Sequence, residues 1–287
     1  MSKRILFVRS GGGLPGLDIH CGIWAALAAH GIEPTDCHGT SAGALVSLLQ
    51  ASGMDRHSFE SLLRHLKDSD VRRERFAWQL RMPFIDWWMD PEPIRVLLDG
   101  FAASAYSNLR TGLACWATDY RSGEAVNVAR KEIFERPADA ALASMSVSGV
   151  FPAQAGLDGR AYVDGGVRRN LPLPANWREY DRVYLCIASA FPSDYSFKGG
   201  ILTHLIRNVQ IAMQDQIEDP IDETNGAPNV TVLRPDVHTP KGFLHFDHDL
   251  IGRAFVQTMM VLDGVRSNRS TVNASGDGHF AGKESGS

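Results

Sequence analysis

Ser41 lies in the sequence Gly39-Thr40-Ser41-Ala42-Gly43, between a short extended segment and an apolar stretch. A G-x-S-x-G pattern in that position is typical of a nucleophile elbow, a sharp turn between a strand and a helix. The two glycines would let the strand and the helix approach each other without a steric clash. The turn would present the serine hydroxyl at a helix N-terminus, where the Ala42 amide could stabilise a developing oxyanion. The alternative is a Gly/Ser-rich turn that matches the pattern by chance.

A glycine-rich loop, residues 11–16 (Gly-Gly-Gly-Leu-Pro-Gly), follows the first apolar segment. The same G-x-G-x-x-G spacing occurs in dinucleotide-binding folds, and Glu33 stands where those folds place a ribose-binding acid. Against this, Pro15 stiffens the loop where a phosphate would approach, and a dinucleotide site does not explain the elbow. A Walker-type phosphate loop is excluded because no Gly-Lys-Ser/Thr follows. We therefore favour amides of Gly12 and Gly13 that donate to an acyl oxyanion, with dinucleotide binding as the less favoured alternative.

A serine nucleophile needs a base, and the sequence offers one outstanding carboxylate. The usual Ser-Asp/Glu-His arrangement places its elbow after several strands, whereas only one strand clearly precedes the strand that carries Ser41. A carboxylate whose pKa is raised by burial can accept the proton directly. Asp164 ends a predicted strand and is followed by Gly165 and Gly166, which would let backbone pack close to the site. The alternative is an ordinary Asp-Gly turn, the commonest use of that dipeptide.

The elements around these residues predict an α/β fold. A strand over 4–9, a helix over 17–30, an extended run over 33–38 and a helix over 44–52 form a βαβα opening. That order favours parallel strands joined by right-handed crossovers. Further strands are predicted at 113–118, 125–129, 160–164 and 182–189, and amphipathic helices at 201–217 and 250–265.

Taken together, the three motifs resemble those of the patatin-like phospholipase family, in the same order and at similar spacing. Segments 143–152 and 162–172 are also similar to the block that precedes and contains the family's catalytic aspartate, so the resemblance covers about residues 4–190. It implies a three-layer α/β/α fold with a mainly parallel central sheet and the nucleophile elbow after the second strand. It also implies a Ser41 nucleophile with Asp164 as general base, and no histidine is required. The implied oxyanion hole is Gly11, Gly12, Gly13, Gly16 and Ala42, and the implied elbow and motif supports are Gly39, Gly43, Gly165 and Gly166.

The resemblance implies a lipid acyl hydrolase of the phospholipase A or esterase type, which works through an acyl-enzyme and needs no cofactor or metal. The implied partner is a lipid or another acyl ester. Two alternatives stay open: an acyltransferase that uses the same acyl-enzyme, and a catalytically weak lipid-binding member. Pro15 stands where the family usually has Arg or Lys, and Ser10 stands where the family often has an acid or another small residue. The missing cation favours an unusual substrate or weak activity, but it does not affect the Ser-Asp pair.

Composition narrows the class of protein. The chain has 287 residues, of which 44% are hydrophobic and 22% charged, as in ordinary globular proteins. A formal net charge of −4 argues against nucleic-acid binding. The four cysteines are far apart and predict buried thiols in a reducing compartment. The apolar run near the N-terminus is too short for a secretory signal, and no stretch is long enough to span a bilayer. These features predict a cytoplasmic protein, with peripheral membrane contact as a further option, and they do not determine its oligomeric state.

The predicted organisation is one hydrolase domain over residues 1–266 and a disordered tail over 267–287. Within the domain, residues 55–100 are a candidate helical lid or insertion, because basic residues there are interleaved with aromatic side chains. Trp87, Trp88 and Met89 would form either an interfacial patch or, as we favour, the core of a helical subdomain. The pair of histidines at 245 and 248 is interpreted as a loop or helix cap and not as a metal site. His20 and His38 are expected to serve packing or local hydrogen bonding.

Overall fold

The computed structural model describes residues 3–73, 87–188, 201–239 and 242–276. The helices are α1 (Gly13–Ala29), α2 (Ala42–Ala51), α3 (Arg56–His65), α4 (Asp68–Val71), α5 (Glu92–Phe101), α6 (Pro137–Ser144), α7 (Ile201–Glu223) and α8 (Asp249–Gly276). The strands are β1 (Ile5–Arg9), β2 (Asp36–Thr40), β3 (Gly112–Asp119), β4 (Ala125–Asn127), β5 (Gln154–Ala155), β6 (Ala161–Asp164), β7 (Arg182–Cys186) and β8 (Val230–Leu233).

The strands form one mixed sheet with a parallel centre. Strands β3, β2, β1, β7 and β8 lie side by side in that order, and each neighbouring pair is parallel. The short strands β4 and β6 pair with β3 antiparallel, and β5 pairs with β6 antiparallel. The prediction of an α/β fold with a mainly parallel sheet is therefore confirmed.

Alternate residues of β1 show how helices cover both faces of the sheet. Phe7 packs in a cluster with Ile19 of α1 and Leu250 of α8. Leu6 and Val8 point to the opposite face, where their cluster includes Ile217 of α7. Successive side chains of a strand point to opposite faces, so the consecutive apolar residues Ile5 to Val8 of β1 must be covered on both faces. The sheet therefore lies between layers of helices, as predicted.

A third apolar cluster lies around α2 and includes the helical region that follows it. Leu48 of α2, Phe59 of α3 and Leu98 of α5 are all buried in this cluster. Met89 is buried in the same cluster, and Trp88 packs against it. This placement agrees with the favoured interpretation of these side chains as core. Residues 74–86 of the candidate lid lie outside the described part of the chain.

Three helices differ from their predicted bounds by four residues or more, among them α7, which ends at Glu223 instead of residue 217. Helix α1 begins at Gly13, four residues earlier than predicted, and so takes Pro15 into its first turn. Proline is tolerated there because the first amides of a helix have no intrahelical acceptor. Helix α8 continues to Gly276, past residue 267 where the disordered tail was predicted to begin. Residues 277–287 lie outside the described part of the chain, so that part of the prediction stays untested.

Two further findings concern cysteines and helices. All four cysteines are unpaired and buried, as predicted. Among the residues that the structure describes, no helix combines the length and apolar character needed to cross a membrane.

Candidate active site

Ser41 sits on a sharp turn between β2 and α2. Its backbone has φ 53° and ψ −122°, and it is the only residue other than glycine with positive φ in the described part of the chain. Such backbone is costly for an L-residue and persists only where the surroundings enforce it. The Ser41 carbonyl accepts hydrogen bonds from the amides of Ala44 and Leu45, at 2.9 and 3.2 Å, which starts helix α2 directly after the serine. The turn thus has the geometry of a nucleophile elbow.

The two elbow glycines are required by close backbone contacts. A Cβ at Gly39 would lie 2.3 Å from the carbonyl oxygen of Gly43. A Cβ at Gly43 would lie 2.6 Å from the carbonyl oxygens of both Arg9 and Ser10. The two ends of the elbow therefore lie in close contact with each other. The elbow also contacts the end of β1, which leads into the glycine loop.

Strand β3 brings Asp164 to the elbow. Thr40, which precedes the serine, is paired with Trp116, and Asp164 is paired with the next residue, Ala117. A Cβ at Gly165 would lie 2.0 Å from the Trp116 carbonyl oxygen, so only glycine can follow the aspartate at this distance. Thr40 and Asp164 therefore lie on opposite sides of β3, at neighbouring positions along it, which brings Asp164 to the end of β2 where Ser41 follows.

The Asp164 carboxyl is buried, with only 2% of the residue exposed. Burial raises its pKa to about 6, although its interactions with the Ser41 side chain and the Gly166 amide lower it. Oδ1 accepts a hydrogen bond from the Gly166 amide at 2.7 Å. Oδ2 has no partner within hydrogen-bond geometry among the described residues, so it can accept a proton. The contact with Ser41 is therefore loose, as is common before substrate binds.

The N-termini of α1 and α2 meet beside the serine. Gly13 and Ala42, the first residues of these helices, both line the pocket that contains Ser41. The amides of Gly12 and Gly13 have no acceptor in the part of the chain that the structure describes. Unpaired amides and the positive end of a helix dipole favour bound negative charge. This arrangement supports Gly12, Gly13 and Ala42 as oxyanion donors.

Two other predicted donors are already hydrogen-bonded. The Gly11 amide donates to the Asn170 side-chain oxygen at 3.0 Å and to the Asn170 carbonyl at 3.3 Å. The Gly16 amide donates to the Gly12 carbonyl at 3.1 Å, as expected one turn into a helix. Both amides therefore already have acceptors, and the roles predicted for Gly11 and Gly16 stay predictions. Gly11 lies close to the elbow, since a Cβ there would be 3.2 Å from the Ser41 Cβ.

Sequence reasoning missed Ser144, at the end of α6. Its hydroxyl accepts a hydrogen bond from the Ser41 amide at 3.0 Å and donates one to the Trp116 carbonyl at 2.6 Å. Ser144 therefore ties the elbow to β3. It lies in the segment that resembles the family, but no local pattern marks this serine for such a role. Asn170, which follows β6 and accepts from the Gly11 amide, also links the glycine loop to helix α7, because its side-chain Nδ2 donates to the Met213 carbonyl at 3.2 Å.

A loop that is distant in the sequence contacts helix α1 just after the glycine loop. The Phe243 carbonyl accepts a hydrogen bond from the Leu14 amide at 2.9 Å. Asp18 of α1 accepts from the Asp247 amide at 2.8 Å and contacts the His248 Nδ1 at 2.8 Å. We call residues 242–248 the brace. Its two histidines therefore lie in a loop that precedes helix α8, as predicted. Separately, the described residues contain no group of three or more side chains that could hold a metal ion.

The pocket at Ser41 has a cavity volume of about 40 Å³. Its described wall is apolar apart from Ser41 and Arg72, and it includes no histidine. The Arg72 guanidinium contacts the His245 ring at 3.3 Å, and His245 in turn pairs with Asp68 at 2.7 Å. The described wall of the pocket is therefore apolar, with one cationic side chain, Arg72.

His20 and His38 are buried away from this wall. His20 Nε2 contacts the Ser10 carbonyl at 2.8 Å, and burial lowers its pKa to about 3, so the ring is neutral at physiological pH. Burial likewise lowers the pKa of His38 to about 4. Their positions agree with the prediction of packing and local hydrogen bonding.

Comparisons with known proteins concern the fold and the family of this chain. The fold is similar to the crystal structure of VipD from Legionella pneumophila, with a TM-score of 0.52 and 13% identity over 92% of this chain and 67% of VipD. The type III effector protein ExoU matches with a TM-score of 0.40 and 15% identity over 92% of this chain and 53% of ExoU. The model of the patatin-like phospholipase family matches residues 7–177. Since that match covers more than half of the sequence, the chain belongs to the patatin-like phospholipase family.

Proposed function

We propose that this chain is a lipid acyl hydrolase of the phospholipase A or esterase type, with Ser41 as nucleophile and Asp164 as general base. Membership of the family supports lipid hydrolysis at the level of the family. The observation that carries the residue roles is the meeting of a strained serine, a buried carboxyl with a raised pKa and two helix N-termini. Strained backbone and perturbed pKa values are concentrated at functional sites.

In the first step, the Ser41 Oγ attacks the ester carbonyl carbon while Asp164 Oδ2 takes the hydroxyl proton. The carbonyl oxygen becomes an oxyanion, and the amides of Gly12, Gly13 and Ala42 stabilise it. When the tetrahedral intermediate collapses, the bond to the alcohol oxygen breaks and Asp164 returns the proton to that oxygen. The products are a free alcohol and an acyl group on Ser41.

In the second step, water replaces the alcohol. Asp164 takes one proton of the water as its oxygen attacks the acyl carbonyl, and the same amides hold the second oxyanion. Collapse releases the carboxylic acid and returns the proton to Ser41. If an alcohol took the place of water, the same acyl-enzyme would perform acyl transfer.

The charge on the pocket wall supports a lipid with an anionic head group. Arg72 is the one charged side chain in the described wall, beside otherwise apolar surface. An arginine recognises phosphate oxygens through a planar fork of donors. A phospholipid supplies both an acyl chain for the apolar wall and a phosphate for Arg72.

A fluorophosphonate probe tests this function, because it reacts with activated serines. We expect one probe per chain, mapped by mass spectrometry to Ser41, together with loss of fatty-acid release from phospholipid vesicles. Heat-denatured protein is the control and should stay unlabelled. Full labelling at another residue, or hydrolysis that survives full labelling of Ser41, would contradict the proposal. Vesicle binding with neither labelling nor fatty-acid release would identify a lipid-binding protein instead.

The raised pKa of Asp164 predicts the pH dependence of the reaction. The base must be ionised, and its pKa is about 6, so kcat/KM should be half-maximal near pH 6 and constant at higher pH until another group titrates. Below that pH it should fall about tenfold per unit. The measurement is kcat/KM on an uncharged ester between pH 4.5 and 8, with circular dichroism to confirm the fold throughout. A rate that does not change between pH 5 and pH 7 would exclude Asp164 as the base.

A further inference from the structure

One buried carboxylate of helix α1, Asp18, takes no part in the proposed reaction. It is fully buried and does not line the described wall of the pocket at Ser41. Burial raises its pKa, and hydrogen bonds from His248 and from the Asp247 amide lower it. A buried carboxylate is costly unless its oxygens are paired, and hydrogen bonds to an ionised group are among the stronger ones in proteins. Both of these partners of Asp18 belong to the brace.

Asp18 holds the brace through each of its carboxylate oxygens. Oδ2 accepts a hydrogen bond from the Asp247 amide at 2.8 Å, and Oδ1 lies 2.8 Å from the His248 Nδ1. The His248 ring is itself held in place, because its Nε2 lies 3.4 Å from the Leu66 carbonyl oxygen. The Phe246 ring stacks on it, with the two centroids 5.4 Å apart. The brace is thus bound to α1 through both its backbone and a fixed side chain.

Asp68 of α4 binds the brace with the same pattern of contacts. Its Oδ1 accepts a hydrogen bond from the Phe246 amide at 2.9 Å, and its Oδ2 lies 2.7 Å from the His245 Nδ1. The Asp68 side chain is 37% exposed, whereas the Asp18 side chain is 0% exposed. Water competes for the hydrogen bonds of an exposed carboxylate and screens its charge, so Asp18 is the stronger of the two anchors.

The brace in turn packs against the glycine loop. The Phe243 carbonyl accepts a hydrogen bond from the Leu14 amide at 2.9 Å. A Cβ at Gly13 would lie 2.3 Å from the same carbonyl oxygen, so this oxygen touches the residue whose amide is a proposed oxyanion donor. A shift of Phe243 would therefore turn the peptide between Gly13 and Leu14, and with it the amide of Gly13.

We propose that Asp18 is a positioning residue of the active site, which keeps the Gly12 and Gly13 amides directed at the oxyanion by anchoring the brace. This inference rests on the proposed function. Asp18 acts through the brace and not on the substrate, so its loss should weaken the stabilisation of the transition state more than the binding of the ester. Asp68 should act in the same way with a smaller effect, because its carboxylate is partly exposed.

The first test is Asp18→Ala, which removes both contacts with the brace. We expect kcat to fall about 10- to 100-fold, less than for the loss of a complete donor, while KM changes by less than about twofold. Rates are expressed per serine that a fluorophosphonate labels at completion, so misfolded protein does not lower them. His248→Ala removes one of the two contacts without emptying a buried site and should lower kcat about 3- to 10-fold. Asp68→Ala should lose less than Asp18→Ala.

A trifluoromethyl ketone gives a readout that a general loss of structure would not move. It forms a reversible tetrahedral adduct with Ser41 whose oxyanion needs the same amides, so its inhibition constant should rise by the factor by which kcat/KM falls. The matched control is Asp119→Ala, because Asp119 is a buried carboxylate that accepts two backbone amides outside the brace. It should keep the wild-type kcat and inhibition constant. Wild-type values in folded Asp18→Ala and His248→Ala would overturn the proposal, as would a loss confined to KM.

Amide hydrogen exchange, read by NMR, separates this inference from the proposed function. The Leu14 amide should exchange about tenfold or more faster in Asp18→Ala than in the wild type, and at the wild-type rate in Asp119→Ala. Unchanged exchange at Leu14 would reject the link between Asp18 and the glycine loop. If the wild type neither hydrolyses esters nor is labelled at Ser41, the proposed function fails, while faster exchange at Leu14 still supports Asp18 as the residue that holds the loop.

Discussion

Asp164→Asn is expected to lower kcat by about 100- to 10,000-fold, because an amide cannot accept the Ser41 proton. Ser41→Ala should remove the acyl-enzyme route and reduce activity to background. Since the two side chains act as a unit, the double variant should be no less active than Ser41→Ala alone. The measurement is initial-rate hydrolysis of a soluble ester at pH 8, where the wild-type carboxylate is ionised.

Unfolding would not explain such a loss. Burial raises the pKa of Asp164 to about 6, so at neutral pH the folded state carries an ionised carboxylate that burial disfavours. The neutral asparagine side chain has no charge to desolvate on folding. The variant should therefore have a melting temperature equal to or above that of the wild type. Asp119→Asn is a control for the loss of a buried carboxylate, because the Asp119 side chain on neighbouring β3 accepts hydrogen bonds from the Arg121 and Ser122 amides and pairs with Arg160. Activity that persists in Asp164→Asn would require another base.

The second large effect is expected for Gly12→Ala. A Cβ at Gly12 would lie 2.1 Å from the Ala188 carbonyl oxygen and 3.0 Å from the Gly16 Cα, so the loop must move. The backbone angle itself is no obstacle, since φ is 175° and any residue adopts it. Displacing the amides of the loop removes oxyanion stabilisation, and loss of one such donor costs about 100- to 1,000-fold in kcat. Steady-state kinetics on the same soluble ester should show this loss mainly in kcat.

Gly264→Ala is the control for this substitution. Gly264 lies in α8 with open space where a Cβ would be placed, so this variant should keep wild-type kcat and gain about 0.5–1 kcal/mol of stability. Melting temperatures of both variants identify any loss that comes from misfolding. If a folded Gly12→Ala protein kept the wild-type kcat, the glycine loop would not be the oxyanion hole.

Local sequence patterns were sufficient to predict the turns in which a tight backbone contact requires glycine. The elbow and the Asp164 turn each depend on glycines whose Cβ atoms would strike a carbonyl oxygen, and such positions can be recognised in a single sequence. The parallel centre of the sheet was predicted from the alternation of strands and helices in the first 52 residues, because parallel neighbours need a crossover connection, usually a helix. Pairing Ser41 with Asp164 depended on the family resemblance, since 123 residues separate them.

The rest could not be predicted because it depends on contacts between distant parts of the chain. The motif could not show that the Gly11 amide is already bound by Asn170, 159 residues away. The motif also could not show that the Ser144 hydroxyl accepts a hydrogen bond from the Ser41 amide. Asp18 pairs with the brace across 229 residues, and neither partner belongs to a recognisable pattern. Side chains that position a site through such contacts are visible only once the chain has folded.

The brace has a consequence for how the protein is made. Phe243, which accepts a hydrogen bond from the Leu14 amide, is synthesised more than two hundred residues after the glycine loop. At about 5–20 residues per second, the nascent chain therefore lacks the brace for roughly 10 to 50 seconds after that loop has been made. Ser41 and then Asp164 are made during that time, while Leu14 and Asp18 still lack their partners in the brace. The loop that we propose to hold the oxyanion is thus braced only after residues 242–248 have been added.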